Sequence, residues 1–247
     1  MKRKICPLNS KAVDEYLAFA KSAQEKEADL IFKPVDGSCG KGIFILPFND
    51  ERIFDTAYLL QKNDYMVVEE VLKNHHEIRA LCPDTLNTIR IPVLIKNDSV
   101  KILGAYLRMG RMGTDTDNFS SGGIICEIDV ETGIVISHGI NKKSQTFSFH
   151  PDTGIPLVGF RVPFWEESKR LAIEAAYVTP TVYYSSWDIA VLEDGPIIIE
   201  GNYAGDVDLQ QAPMNKGKRY LFADYLPKRH LYFGYTRSGK HTISKEI

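Results

Sequence analysis

Trp187-Asp188-Ile189-Ala190-Val191-Leu192-Glu193-Asp194-Gly195-Pro196-Ile197-Ile198-Ile199-Glu200-Gly201-Asn202 is two apolar runs on either side of an Asp-Gly pair, the pattern of a β-hairpin. Strand side chains alternate faces, so Glu200 and Asn202 share one. Pairing Glu193 with Ile197 around a three-residue loop, 194–196, sets Asp188 opposite Asn202 and on that same face. A two-residue loop would turn Asp188 to the wrong face, so the reading predicts an odd-length loop. Two carboxylates and an amide oxygen then converge from a rigid scaffold. Such a hard-oxygen set suits Mg²⁺ that also keeps water or phosphate oxygens. The plainer reading of this hairpin is a turn with solvated acids at its far end.

The chain around it has 247 residues, enough for one large domain or two lobes with a real core. Its 44% hydrophobic and 25% charged residues are ordinary globular values. A net charge of −2 gives no support to nucleic-acid or anionic-membrane binding. Cys6, Cys39, Cys82 and Cys126 form no Cys-x-x-Cys pair, which speaks against a zinc knuckle and for reduced thiols in a cytoplasmic protein. No apolar run is long enough for a membrane span, and the basic start, Met1-Lys2-Arg3-Lys4, is not followed by the apolar core of a secretory signal.

Taken in order, Asn9 or Ser10 caps a helix to about residue 28, with Val13, Tyr16, Leu17 and Ala20 on its apolar face. A strand at 29–33 enters the glycine-rich loop Asp36-Gly37-Ser38-Cys39-Gly40-Lys41-Gly42, and 43–47 returns from it. Asp50 opens a second helix through Leu60, and 65–70 is an apolar strand ending in two acids. After polar 73–77 the character changes. Strands at 88–96 and 100–109 meet at Asn97-Asp98, a polar glycine-rich loop fills 110–123, and 124–130 with 134–139 makes another hairpin. A helix covers 163–178, then comes the hairpin quoted above. Residues 205–215 read as loop and 216–226 as helical. Strands and helices do not alternate as in a doubly wound fold. The pattern is α+β, with a small lobe at 1–72 and a larger antiparallel lobe at 73–247.

Several residues can carry chemistry. The glycines of 36–42 let backbone N–H groups close on phosphate, with Lys41 and the strand lysine Lys33 adding charge; a flexible hairpin tip is the alternative. No Gly-Lys-Ser/Thr opens a helix there, so this is not a P-loop. Glu69, Glu70, Val71 and Leu72 suit an adenine slot between lobes, and Glu77 follows closely enough to take ribose; a solvated strand end is the alternative. Arg90 in Asn87-Thr88-Ile89-Arg90, and Arg108, are placed to hold a γ-phosphate or acyl-phosphate oxygen, or else to pair with a carboxylate. Adjacent His75 and His76 are expected to point apart as surface residues, without a shared metal. Cys39 has no evident base partner and is read as tolerated in its loop.

In their order, Lys33-Pro34 to Gly42, Glu69-Glu70, Asp188 and Glu200-x-Asn202 resemble the ATP-grasp superfamily. Asn87-Thr88-Ile89-Arg90, Asp117-Asn118-Phe119-Ser120-Ser121-Gly122-Gly123 with Asp129 and Thr132-Gly133, and Glu200-Gly201-Asn202 resemble its sugar-transfer-associated branch, often linked to surface polysaccharide. The likeness covers about residues 29–213. It implies an ATP-grasp fold, an ATP cleft between two α+β lobes with antiparallel sheets. Lys33 would bind the α- or β-phosphate, and Gly37, Ser38, Gly40, Lys41 and Gly42 would cover the triphosphate. Residues 69–72 would frame adenine, Glu77 would bind ribose, and Asp188, Glu200 and Asn202 would hold one or two Mg²⁺. The usual family reaction activates a carboxylate as an acylphosphate that an amine displaces, with Arg90, Arg108 and Lys41 offsetting phosphoryl charge.

Two departures follow. Only about 28 residues precede the Lys33 strand, so the usual front domain is expected to be absent; either a partner subunit, a homo-oligomer or the C-terminal segment completes the acceptor site, or the chain is a reduced form. Ser185 and Ser186 stand where many relatives place an arginine before the first metal acid. Arg111, Asn118, Ser121 and residues 205–211 are the candidate contacts to the small-molecule acid and amine. A small-molecule kinase and a non-catalytic nucleotide-binding subunit are the competing readings.

Overall fold

The computed structural model describes residues 4–6, 10–35, 42–55, 59, 66–114, 116–203 and 207–222. Two antiparallel sheets organise them. The first has the order β1-β4-β2-β3, from Lys4–Cys6, Met66–Glu70, Leu30–Pro34 and Phe44–Leu46 respectively. Helix α1, Ser10–Glu25, covers one face by burying Tyr16, Ala20 and Ala23 at helical spacing against Leu30, Phe32, Met66 and Val68. The Tyr16 hydroxyl donates to the Ile53 carbonyl at 2.5 Å, so its polar tip is satisfied inside the core. Alternation then sends Ile31, Lys33 and Glu69 to the opposite face. Asp50 caps a turn of 3₁₀ helix, Glu51–Phe54, where a longer helix was expected; the residues that would continue it are largely outside those described.

The second sheet runs β10-β9-β8-β7-β5-β11-β12. Its strands are β5 Thr88–Lys96, β7 Ala105–Met109, β8 Ile124–Ile128, β9 Gly139–Ile140, β10 Thr146–Phe147, β11 Tyr184–Leu192 and β12 Gly195–Tyr203. The run 100–109 is not one strand. It splits at Leu103-Gly104 into β6, Ser99–Ile102, and β7, both paired to β5, because only the second part continues across to β8. Asn97 and Asp98 both take positive φ, the tight turn their residue types favour. Ile89, Ile91, Leu107, Ile189 and Val191 face α3, Trp165–Val178, and make the main core with Trp165, Ala172 and Ala176.

Two short helices were not expected. Helix α2, His76–Leu81, buries Ile78 and Leu81 under β5. Helix α4, Val207–Gln211, lies within the stretch read as loop, and 216–226 yields only a 3₁₀ turn, Arg219–Phe222, among the described residues. Leu209 from α4 packs on Tyr106 and Ile125, and this contact orders a segment whose sequence looks irregular. No described helix is long and apolar enough to cross a membrane.

Candidate functional site

The β11–β12 hairpin differs from its expected register and reaches the same face by another route. Leu192 pairs with Gly195, so the turn is Glu193-Asp194, two residues rather than three. A bulge between Asp188 and Ile189 then takes up one extra residue of β12, Ile199, and restores the parity that the short turn removed. Asp188 lies directly opposite Glu200, not Asn202, which instead faces Ser186. All three site side chains project from one face. Gly201, between the two polar residues, lies under the Trp187 ring; a Cβ there would sit 2.4 Å from it.

That face carries a continuous polar row. Across hydrogen-bonded strands the partners run Glu200, Asp188, Arg90, Tyr106, Glu127. Arg90 meets Asp188 with two parallel bonds of 2.7 and 2.6 Å, and Arg108 adds a third at 2.6 Å. Arg108 also reaches Asp117 at 2.9 Å, and Asp117 accepts from the backbone and hydroxyl of Thr88. Asp188 is only 2% exposed. Burial pushes its carboxyl up, but the Arg90 hydrogen bond and the two guanidinium charges outweigh that and hold it below the usual range. Burial likewise works against the Arg108 charge, and Asp117 and Asp188 overcome it. Glu200 behaves oppositely. Its carboxyl end is drawn in against Asp188, and desolvation with the Asp188 charge raises its pKa. The Asn202 amide N–H donates to Glu200 at 3.2 Å, which leaves the Asn202 side-chain carbonyl oxygen to accept a hydrogen bond or to coordinate a cation.

Lys33 and Glu69 form an ion pair on the inner face of the first sheet, with Glu69 2% exposed. They line a cavity of about 200 Å³ with residues 70–74, residues of the α2 region, and Ile199, the bulge residue next to Glu200. Lys33 and the hairpin therefore border one space. Glu70 is on its wall and pairs with Lys26 at 2.6 Å. Glu77 is exposed beside His75 and is not among the cavity's lining residues, so its position gives the ribose assignment no support. Gly42 has φ +76°; Gly37, Ser38, Gly40 and Lys41 lie outside the described residues, as does Cys39.

The acceptor candidates are mostly committed elsewhere. Arg111 holds Asp152 at 2.6 and 2.8 Å, an anchor that binds the polar loop to residue 152. The Asn118 side chain caps the 3₁₀ turn Phe119–Ser121 by accepting from Ser120, and Ser121 is exposed at its end. The organising roles of two residues escaped the sequence reading. Asp117 stood there only as part of the loop motif 117–123, and Asn74, 2% exposed, ties Asn87 to the Val191 carbonyl. Neither has a local signal, because each acts through partners remote in sequence.

His76 is exposed as expected, but the two histidines do not point apart. His75 is the cap of α2 with extended ψ of 139°, so it and His76 do not follow one helical or strand geometry. Their rings lie 4.2 Å apart between centroids, beside Glu193 from the hairpin turn.

The family described as sugar-transfer-associated ATP-grasp matches residues 8–221. This chain belongs to it. No curated protein matches the chain. Among solved structures, the β-γ-ATP complex of biotin carboxylase from Campylobacter jejuni is 15% identical, with a TM-score of 0.50 over 86% of this chain and 41% of that one. D-alanyl-alanine synthetase A from Vibrio cholerae is 11% identical, with a TM-score of 0.49 over 87% of this chain and 54% of that one. The sugar-transfer-associated ATP-grasp chain thus spans about half or less of the length of these two structures. The match to biotin carboxylase shows the ATP-grasp fold, here as α+β with two antiparallel sheets.

Proposed function

We propose that this family member is an ATP- and Mg²⁺-dependent carboxylate–amine ligase working through an acylphosphate. Residues 1–72 and 73–247 are read as the two lobes around the nucleotide. The observation that carries the reading is the row Glu200, Asp188, Arg90 next to Ile199, which lines one cavity together with Lys33. The donor set fits magnesium: two carboxylates and an amide carbonyl are hard oxygens, and burial together with the neighbouring Asp188 carboxylate raises the Glu200 carboxyl. Bound there, the cation would neutralise charge on phosphate oxygens.

This chain's own residues supply the rest. A cavity of about 200 Å³ matches one end of a nucleotide rather than a whole one, since full ligand pockets run to about 300–1,000 Å³. Residues 69–72 would frame the base, and the Lys33 ammonium would meet the α- or β-phosphate while Glu69 steadies it. Gly37, Ser38, Gly40, Lys41 and Gly42 would close on the triphosphate. Arg90 and Arg108 would turn part of their hydrogen-bonding capacity from Asp188 to the transferred phosphoryl oxygens, with Asp117 holding Arg108 in place. The phosphoryl group would pass to the acid substrate, and the amine would then attack the acyl carbon and expel phosphate. Ser121 remains an exposed candidate for acceptor contact; a link to polysaccharide or peptide-conjugate synthesis rests on the family description.

Phosphate release and ADP formation measured with a panel of acids and amines test this. The ligase reading expects both products only when acid and amine are present together. A product that retains phosphate on a hydroxyl would instead mark a kinase, and nucleotide binding without turnover a binding subunit.

A further inference from the structure

A second cluster lies at the other end of the hairpin, about 16 Å from Asp188 by five residues of strand rise. His75, His76 and Glu193 each present a ligand atom, all within 4.8 Å of one another. We propose that these three side chains form a binding site for a zinc-class divalent cation, separate from the hard-oxygen row, with Glu77 orienting His75.

The geometry is near what such an ion requires. Zinc bonds of about 2.0–2.1 Å in a tetrahedral shell set neighbouring donors about 3.3 Å apart. Glu193 Oε2 lies 3.1 Å from His76 Nδ1 and 3.7 Å from His75 Nε2. The third edge needs the two rings to close slightly, and His76 is free to swing because its side chain is 64% exposed. Three protein ligands leave a fourth position for water, and imidazole donors favour zinc, nickel or copper over magnesium.

The backbone beneath is already fixed. The His75 N–H donates to the Val191 carbonyl at 2.8 Å, and the His76 N–H to Glu193 Oε1 at 2.8 Å. Phe164 stands edge-on to the His75 ring at 5.9 Å, limiting its rotation. His75 Nδ1 caps α2 by accepting the Glu77 N–H at 3.4 Å; with Nε2 on the ion, Nδ1 would carry the proton instead, give up that long bond and turn to the Glu77 carboxylate now 3.8 Å away. The cation would take the place of the His76 Nδ1–Glu193 hydrogen bond. It would clasp the connector that leads out of the cavity wall to the turn of the hairpin bearing Asp188 and Glu200.

The test is zinc titration of the chelator-stripped full chain in excess MgCl₂, by calorimetry and by competition with a chromophoric chelator. The wild-type chain is expected to take up one zinc with a rise in melting temperature. His76→Ala and Glu193→Gln, both at exposed positions, are expected to lose that uptake while melting as the metal-free wild type does. Glu77→Gln should bind about 10–100-fold more weakly. Asp188→Asn should bind zinc undiminished, which separates this site from the proposed nucleotide site. Cobalt substitution should give a visible d–d spectrum that disappears in His76→Ala. Absence of one-to-one uptake by the wild type, or equal uptake by His76→Ala and Glu193→Gln, would overturn the proposal.

Discussion

Replacing Asp188 by Asn removes the charge at the centre of the polar row while keeping its shape. Three charge-assisted bonds of 2.6 to 2.7 Å converge on that carboxylate. Asn keeps one acceptor oxygen and turns an N–H₂ toward a guanidinium, so Arg90 is left buried and largely unpaired. Breaking a buried ion pair from one side costs about 3–5 kcal/mol. Arg108 retains Asp117 at 2.9 Å, which lowers the expected loss to about 3 kcal/mol. For a chain of this size that is a fall in melting temperature of roughly 6–12 °C. Urea unfolding followed by circular dichroism and tryptophan fluorescence, with both signals required to coincide, measures it. The pH dependence has a definite sign. Because the folded Asp188 carboxyl lies below its ordinary 3.8, its stabilisation is complete above that pH and fades as pH falls through the folded value. The gap between wild type and Asp188→Asn should therefore be full at pH 7 and narrow only below about 3.8. A cycle with Arg90→Met should show coupling above about 1 kcal/mol. A loss under about 1 kcal/mol at pH 7, or a gap that widens in acid, would refute the ion-pair account.

Glu200→Gln should act in the opposite direction on the metal-free protein. The folded Glu200 carboxyl is raised above 4.5, so wild type loses stability as pH rises through that folded value, and the amide abolishes this loss. Melting curves at pH 5 and 7 should show the variant gaining on wild type at the higher pH, while calorimetry shows weaker Mg²⁺-dependent nucleotide binding. Lys33→Met should weaken nucleotide binding at least about tenfold and leave Glu69 buried without its ammonium; adding Glu69→Gln should restore stability but not affinity. Asp152→Asn should loosen the 110–123 loop to limited proteolysis. Its stability deficit should close between pH 3.8 and about 2, since the Arg111 hydrogen bond holds the Asp152 carboxyl down at about 2. Gly201→Ala should lower the melting temperature, because the new methyl would meet the Trp187 ring at 2.4 Å; unchanged stability would mean that the ring can move aside at no cost.

Residue type and order carried most of the strand plan, because alternation and turn chemistry are local. The hairpin shows where that stops. Its Asp-Gly turn and its shared polar face were legible, but the bulge at Ile199 was not, since Ile197-Ile198-Ile199 has no feature that singles out one residue. The turn and bulge errors cancelled because parity, not loop length, decides which face Asp188 takes. Helix α4 was missed for a different reason: Leu209 is buried by Tyr106 and Ile125, a tertiary contact between segments far apart in sequence. The orientation of the two histidines was misread because helical or strand spacing was assumed, whereas His75 caps the helix that His76 begins. Arg90 and Arg108 could be singled out as charges inside apolar strands, but their common partner depended on strand pairing across the sheet.

Counting charge across that row explains which of its members is poised to change state. Arg90 and Arg108 are paired with Asp188 and Asp117, and burial pushes the Asp117 carboxyl up against the pull of Arg108. Glu200 is the fifth group, next to Asp188 and without a cationic partner in the row that would offset both acids. Burial first, and then the Asp188 carboxylate beside it, raise its carboxyl. In the proposed ligase, a divalent cation at Glu200, Asp188 and Asn202 would reverse the imbalance. Asp188 would then share its negative charge with the cation, and its claim on the two guanidiniums would weaken by ordinary electrostatic competition. That would free Arg90 and Arg108 to turn to a second anion. In the proposed ligase, that coupling makes the arginines' grip on phosphate depend on the metal being in place, and it accounts for an oxygen-ligand site built directly against a buried guanidinium pair.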